Sequence, residues 1–275
     1  MVAFVTAGMD TDQEQQDLRL LAAALRRVDV WLPRSEPGGW TVRPGSPLAG
    51  DDKKADPFHV SHAVASAVQV AVDHACALQR LVEGYDACYP QQMTFLLNSY
   101  YTLVRGALEN AARAIWLLAP NVRPERILRR LRLQADNVIN SDQAASAMGS
   151  SMPQSRADRL DRIREIAARA GVDADQAVRL RPKPGEIVKA AGHYMGGDDV
   201  ANHIETLWRA CSGAAHGDVW AGLSLHDRDT VATNGNVATT RFTVATHLFT
   251  TFVTETFAVI DVAHGIFDYR NRPLY

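Results

Sequence analysis

The chain has 275 residues, of which 47% are hydrophobic and 22% charged, which is enough for one large domain with a buried core. A formal net charge of -2 argues against a protein coated with phosphate-binding residues, so any contact with nucleic acid has to be local. The three cysteines (Cys76, Cys88, Cys211) form no C-x-x-C pair, which excludes an obvious disulfide scaffold or zinc site and favours a reducing cytoplasm. No apolar run long enough to span a bilayer is free of charge or histidine, so we expect no membrane contact.

The N-terminal part of the chain combines one helix with an irregular connection. A capping box beginning at Thr11, followed by leucines at helical intervals, predicts a helix from about Thr11 to Arg27. Residues 31–57 are rich in proline and glycine, which predicts an irregular segment. This composition change is the clearest boundary in the chain. We therefore predict an N-terminal part at 1–57 and a helical bundle at 58–275.

Helical periodicity dominates the rest of the sequence. Long helices are predicted at His59 to Glu83, Gln92 to Leu118, Asp198 to His216, and Thr243 to Phe267. The first presents Val60, Val64, Val68 and Val72 on one side, and the last presents Phe249, Phe252, Val253, Phe257 and Ile260. Such apolar sides pack together in bundles. The predicted fold class is therefore all-α, an up-and-down helical bundle.

The segment at about 122–197 is predicted to be a peripheral helical insert. Its first helix runs from Pro124 to about Ser146 and holds the densest basic run of the chain, namely Arg126, Arg129, Arg130 and Arg132. A solvated face is favoured over a nucleic-acid patch by the overall charge. Ser155 and Asp173 are predicted to cap two shorter helices. After the insert, the dipeptide Asn234-Gly235 lies between alternating residues, which predicts one short β-hairpin.

The helix predicted from Asp198 to His216 carries a row of polar side chains of the kinds that act in acid-base catalysis. Arg209 and His216 are seven residues apart, a spacing that returns almost to the same face of a helix, and Glu205 and Ser212 lie on the same stripe. Gly217 predicts the helix end, so His216 falls in the last turn. The negative end of the helix dipole favours a protonated imidazole there. A histidine in that position is suited to give and take protons.

A second polar stripe follows the helix predicted from Gln92, where Arg105 and Glu109 recur at helical spacing. Buried charges must be paired or face a cleft. Pairing of Glu109 or Glu205 with Arg105 or Arg209 would satisfy that requirement without any function, and this structural interpretation stays open. The functional interpretation assigns Arg209 and His216 as catalytic residues. Arg105, Glu109, Glu205 and Ser212 are then binding residues.

Several other chemistries lack their sequence signals. The chain has no G-x-x-x-x-G-K-[ST], no G-x-G-x-x-G after a strand and no G-x-S-x-G elbow, which disfavours nucleotide-dependent enzymes and serine hydrolases. The Glu-x-x-His pairs that a di-iron bundle requires are missing too. We therefore predict no cofactor and no metal.

The spacing of Arg209 and His216 near the end of a helix resembles the Arg-x(4-6)-His motif of the HEPN superfamily. The segments around Arg105 and Glu109 and around Gly213 to Gly217 are similar to an uncharacterised actinobacterial branch of it, and the resemblance covers roughly residues 59–118 and 198–267. Many members are metal-independent endoribonucleases that act as dimers. The resemblance implies that Arg209 holds the scissile phosphate and His216 is the acid or base. Members that are active commonly have a polar residue directly after the arginine, whereas this chain has Ala210.

Two function hypotheses remain. The first, which the resemblance implies, is a cytoplasmic ribonuclease of toxin or defence type that forms a homodimer, acts on RNA and is controlled by an antidote or partner protein. The second is a non-catalytic helical module that binds a small ligand or a protein through the same polar cleft. The charge balance and Ala210 favour the second hypothesis.

Overall fold

The structure is a computed structural model that describes residues 12–84, 93, 95–235 and 237–273. Within these residues the chain forms helices and one two-stranded antiparallel sheet, which confirms the predicted mostly helical fold with a short hairpin. The elements are α1 (Asp12–Leu25), α2 (Val28–Trp31), a 3-10 helix (Leu32–Ser35), α3 (Pro47–Ala55), α4 (Val60–Glu83), α5 (Ser99–Leu118), α6 (Arg123–Ala147), α7 (Arg156–Ala170), α8 (Ala174–Arg179), α9 (Pro184–His216), α10 (Val219–Leu225), β1 (His226–Asn234), β2 (Val237–Val244) and α11 (Thr246–Arg270).

Helix α5 lies at the centre of the bundle and packs against α4, α9 and α11. It is apolar on most sides, which is the pattern of a helix surrounded by other helices. Tyr101 is fully buried near its start and meets Phe249 and Phe252 of α11 edge-on, with ring centroids 5.9 and 5.5 Å apart. The close contact between α4 and α5 depends on Gly106 of α5, because a Cβ atom at this position would lie 2.6 Å from the imidazole of His74 in α4.

The predicted apolar sides of α4 and α11 form the core. All nine of the predicted packing residues are buried, namely Val60, Val64, Val68, Val72, Phe249, Phe252, Val253, Phe257 and Ile260. Burial of such side chains contributes about 1.5 to 3 kcal/mol each relative to exposure. The periodicity therefore identified the faces of these helices correctly.

Three predicted element boundaries are wrong. Residues 47–55 form helix α3 instead of irregular chain, because Pro47 occupies the first helical turn and the Ser46 hydroxyl accepts a hydrogen bond from the Ala49 amide at 3.1 Å. Helix α5 begins at Ser99 instead of Gln92, and Gln92 itself lies outside the described residues. Helix α11 begins at Thr246 because residues 237–244 pair as β2. Thr11 of the predicted capping box also lies outside the described residues.

The N-terminal helices bind α11 through ion pairs and a hydrogen bond. The Arg27 guanidinium forms an ion pair with Asp261, and the Trp31 indole donates a hydrogen bond to the same carboxylate at 2.7 Å. Arg34 pairs with Asp268 at 2.5 Å and lies over the ring of Trp40. These contacts place residues 12–40 along one side of the bundle. The division of the chain at residue 57 stays a prediction about folding units.

The guanidinium groups of the basic run of α6 are engaged within the fold instead of forming a solvated face. Arg126 is 2% exposed and its guanidinium binds the buried Asp51 carboxylate through two hydrogen bonds of 2.6 and 2.9 Å. Arg129 and Arg130 donate to the backbone carbonyls of Trp116 and His59. Arg132 donates to Gln176. The prediction of a solvated face is thus wrong, because each guanidinium ties α6 to another part of the fold.

The insert and the hairpin agree with the sequence pattern. Ser155 and Asp173 accept hydrogen bonds from amides in the first turns of α7 and α8, as predicted for N-caps. Helices α6, α7 and α8 pack mainly on one another. In the hairpin, Asn234 pairs with Val237 and so belongs to β1 instead of the turn, and Gly235, which follows it, has a φ of +60° that suits glycine.

Candidate functional site

Helix α9 is the element that positions the predicted catalytic pair. Its helical geometry breaks at Gly196 and Gly197, and the stretch 198–216 then runs unbroken to its end. The end is a Schellman motif, in which the amides of Gly217 and Asp218 donate to the carbonyls of Ala214 and Gly213 at 3.1 and 2.9 Å. Gly217 has a φ of +73°, a conformation that glycine adopts without steric cost. His216 is therefore the last residue of the helix, as predicted.

Arg209 projects into solvent, but it is not free. Its Nε and Nη2 atoms both donate to one oxygen of Glu205, at 3.0 and 2.7 Å. The second oxygen of Glu205 lies 3.5 Å from the Lys189 ammonium. The hydrogen bond from Arg209 lowers the pKa of Glu205, with smaller contributions from the charges of Arg209 and Lys189, so the carboxylate is ionised at neutral pH. Arg209 remains 64% exposed, and its Nη1 side has no partner among the described residues.

His216 is exposed and makes no hydrogen bond or ion pair within the described part of the chain. It lies two turns beyond Arg209, about 10 Å along the helix axis, from the helical rise of about 1.5 Å per residue. Ser212 lies between them and is half-buried, also with no hydrogen bond among the described residues. On the other side of α9, Cys211 faces the core, and burial raises the pKa of its thiol. The stripe of Glu205, Arg209, Ser212 and His216 thus lies at the surface.

The second predicted stripe forms a separate cluster between α5 and α9. Glu109 accepts a hydrogen bond from the Trp208 indole at 3.1 Å and lies between two guanidinium groups, at 3.7 Å from Arg105 and 3.8 Å from Arg113. The Arg105 guanidinium also lies 5.8 Å from the centroid of the Trp208 ring. This arrangement covers the Arg105 stripe with α9 of the same chain. Arg105 and Glu109 therefore contact neither Arg209 nor His216 in any described interaction.

Two residues near the stripe had no role in the sequence prediction. Trp208 separates the two charged clusters, since it bonds to Glu109 while the next residue, Arg209, faces solvent. Trp220 in α10 packs over Gly213 so closely that a Cβ atom at 213 would lie 2.5 Å from the indole. Trp220 is nevertheless 51% exposed, and Val219 and Leu223 of the same short helix are exposed too. Gly213, a glycine inside a helix, is a sequence signal of close packing, but it does not identify the residue that packs on it.

Two general features bear on chemistry. Among the described residues, no three His, Cys, Asp or Glu side chains are placed to share a metal ion. None of the helices in the same residues combines the length and apolar character that a membrane crossing requires.

No protein-family model matches the chain, and comparisons with curated proteins and with solved structures find no match. The candidate site therefore rests on its own geometry and chemistry.

Proposed function

We propose that the protein is a HEPN-like endoribonuclease whose site is formed by the solvent-facing stripe of α9. The observation that supports it is the exposure of His216 and Arg209 on one helix face, with the imidazole unengaged among the described residues. In the reaction, His216 takes the proton of a ribose 2′-hydroxyl as that oxygen attacks the adjacent phosphate. The P–O5′ bond breaks as O5′ takes a proton from water, which leaves a 2′,3′-cyclic phosphate and a 5′-hydroxyl on the departing strand, and His216 then returns its proton to solvent.

Arg209 has a defined part in this proposal. Glu205 occupies its Nε and Nη2 atoms on one side. Nη1 and the second Nη2 hydrogen then remain for two phosphate oxygens, which is the bidentate arrangement that stabilises a dianionic transition state. Glu205 acts as a positioning residue, because it holds the guanidinium in one orientation.

The orientation of Arg209 also favours a site shared between two copies of the chain. Glu205 is one turn before Arg209, so the guanidinium leans toward the helix N-terminus and away from His216. The pair in one chain is already separated by about 10 Å along the axis. An antiparallel contact of two α9 helices would instead bring His216 near the Arg209 of a second copy. We infer a homodimer in which each site combines both chains.

The exposed ring of Trp220 supports a single-stranded RNA as the substrate in this proposal. Its half-exposed indole is fixed on Gly213, one turn before His216. An exposed aromatic ring stacks on unpaired bases. A cleavable single strand would thus place a base on Trp220 and the neighbouring phosphate at His216.

Cleavage of a short single-stranded RNA in the presence of a chelator tests the proposal. We expect 2′,3′-cyclic phosphate ends, complete loss of cleavage in His216→Ala and a loss of about a hundredfold in Arg209→Lys. The matched controls are His203→Ala, another exposed histidine of α9, and Arg179→Lys, another exposed arginine in an i,i+4 ion pair. Both should cleave like the wild type. Absence of wild-type cleavage, with all variants folded by thermal melting, would refute the assignment.

Mixing the two inactive variants tests the shared site. In a mixed dimer, one of the two sites combines an intact His216 with an intact Arg209. About a quarter of wild-type activity should return after equal mixing, since half of the dimers are mixed and each has one good site. No recovery, from variants that sediment as dimers, would assign both residues of a site to one chain.

A second candidate function is a non-catalytic module that binds a small ligand or a protein partner through the same stripe. The ion pair between Arg209 and Glu205 favours it, because that carboxylate already neutralises the guanidinium. Growth arrest on overexpression that depends on His216, relieved by a co-expressed neighbouring gene, would favour the nuclease with its antidote. Unchanged growth together with saturable partner binding that Arg209→Ala abolishes would favour the module.

A further inference from the structure

A groove of about 360 Å³ opens between α4, α5 and α6. One face of α4 forms its first wall with small side chains, Ala63, Ser66 and Ala67, and this absence of bulk leaves the space. The opposite wall is polar and comes from α5 and α6, with Asn110, Arg113, Arg130, Gln134 and Asn137. The volume lies in the range of sites for small organic ligands.

Arg113 reaches the groove with an incomplete set of partners. The nearest carboxylate oxygen, from Glu109, is 3.8 Å from its Nη2, and that carboxylate also serves Arg105 and the Trp208 indole. The one hydrogen bond recorded for the guanidinium is a long one of 3.4 Å to the Asn110 amide oxygen. Its Nε is buried without an acceptor among the described residues. One carboxylate shared by two guanidiniums leaves a net positive charge at this position.

Arg130 adds a second guanidinium to the same wall. Its recorded acceptors are all uncharged: the His59 carbonyl at 3.0 Å and the Gln134 amide oxygen at 3.1 Å from both Nη1 and Nη2. Burial lowers the pKa of Arg130 to about 10, although the charge of Asp52 opposes the shift. A buried cation with neutral acceptors is stabilised by a nearby anion.

The acidic residue that lines the groove does not cancel this charge. One oxygen of Asp136 accepts from Arg181 at 2.5 Å, and the other accepts from the Asn140 amide at 3.0 Å. The amides supply further donors. Because Gln134 uses its oxygen for Arg130, its NH₂ group is left to donate, and the exposed Asn137 has no hydrogen bond among the described residues.

We propose that this groove binds a small organic anion, with a phosphate or carboxylate group held by Arg113 and Arg130 and a hydroxyl-bearing body held by the amides of Gln134 and Asn137. Charge-assisted bonds from guanidinium groups supply most of the affinity. The hydroxyl of Ser66 and the small alanines of α4 set the width available to the body. The site is independent of the α9 stripe and does not require the protein to be a nuclease.

Thermal melting of the full chain with ribose 5-phosphate, inorganic phosphate, succinate or ribose tests the proposal. We expect ribose 5-phosphate at about ten times its Kd to raise Tm by about 3 °C, and ribose, which lacks the anion, to leave Tm unchanged. A shift with inorganic phosphate but not with succinate would identify a phosphate site, and the reverse a carboxylate site. Arg113→Met should weaken binding by about tenfold or more, as expected for one lost charge-assisted contact.

Arg179→Met is the matched control, because Arg179 is also an arginine in an i,i+4 ion pair, with Asp175, but it does not line the groove. It should retain the ligand-induced shift. Ser66→Phe, which fills the groove from an exposed position of α4, tests the site independently of any charged residue and should abolish the shift. Failure of all three anions to shift Tm of the wild type would overturn the proposal. An equal loss in Arg179→Met and Arg113→Met would do so too.

Discussion

We expect the folded protein to lose stability in acid because of His264, whose imidazole lies between two tryptophan rings. The imidazole stacks with Trp31 and Trp40 at centroid distances of 6.3 and 5.4 Å, and its Nε2 is buried without a partner in the described residues. Burial, reinforced by the charge of Arg34 and opposed by that of Asp268, lowers its pKa from 6.5 to about 4. The folded state therefore holds His264 neutral where an unfolded chain would protonate it.

The sign and size of the effect follow from proton linkage. Because the folded-state pKa is the lower one, the unfolded state binds the proton more readily between about pH 6.5 and pH 4, and stability falls as the pH falls through that window. Once the pH is low enough to protonate His264 in both states, the free energy of unfolding has fallen by about 3 kcal/mol from its value above about pH 7.5. About 2 kcal/mol of this fall has already occurred at about pH 5. Above about pH 7.5 the contribution is complete.

Urea denaturation at about pH 7.5 and about pH 5 measures this loss. In His264→Gln the fall in the free energy of unfolding between the two pH values should be smaller than in the wild type by about 2 kcal/mol. The matched control is His203→Gln, which changes an exposed histidine and should leave the wild-type pH dependence intact. The reasoning is refuted if His264→Gln keeps the full pH dependence.

Three further predictions concern the ion pair, the helix end and the indole. Asp51→Ala should lower the free energy of unfolding, measured by urea denaturation, by about 4 kcal/mol, because it leaves the buried Arg126 without its carboxylate. Asp161→Ala removes an exposed ion pair and should lower it by less than about 1 kcal/mol. Similar losses in the two variants would contradict this reasoning. Gly217→Ala should lower the free energy of unfolding by about 1 kcal/mol, measured the same way, because φ is +73°; no change would contradict the Schellman end. If RNA is cleaved, Trp220→Ala should raise KM for a single strand by about tenfold, and Val219→Ala should not; equal effects would argue against stacking.

Sequence pattern predicted the helix faces better than the helix ends. The valines of α4 and the apolar residues of α11 repeat with the helical period over about three turns, and a face averaged over several residues survives an error at either end of the helix. The start of α5 was placed too early because residues 93–98 are apolar enough to extend the pattern, although those that are described are not helical. Helix α3 was missed because its proline and glycine were taken as breakers, whereas Pro47 follows the capping Ser46 and starts the helix.

The arginines of α6 show a different limit of sequence reasoning. Charge density indicated a surface role, but each guanidinium finds an acceptor outside α6, and three of the four find it more than 40 residues away in the chain. Asp51, the partner of Arg126, precedes it by 75 residues. Periodicity reports only the face of one helix, and it contains no information about which acceptor another helix brings to that face. Pairing between distant segments of one chain can be identified only from the packed fold.

The same limit explains why the two polar stripes do not form one site. Both stripes have helical spacing, so the sequence alone allowed Glu109 and Arg209 to meet. In the fold, Trp208 comes between them and takes the carboxylate of Glu109 by a hydrogen bond of 3.1 Å. Arg209 then depends on Glu205 of its own helix, while Glu109 is divided among three donors and neutralises Arg113 only in part. The Trp208 indole thus keeps Glu109 apart from the exposed stripe of α9, and Arg113, which Glu109 neutralises only in part, lines the electropositive groove between α4, α5 and α6.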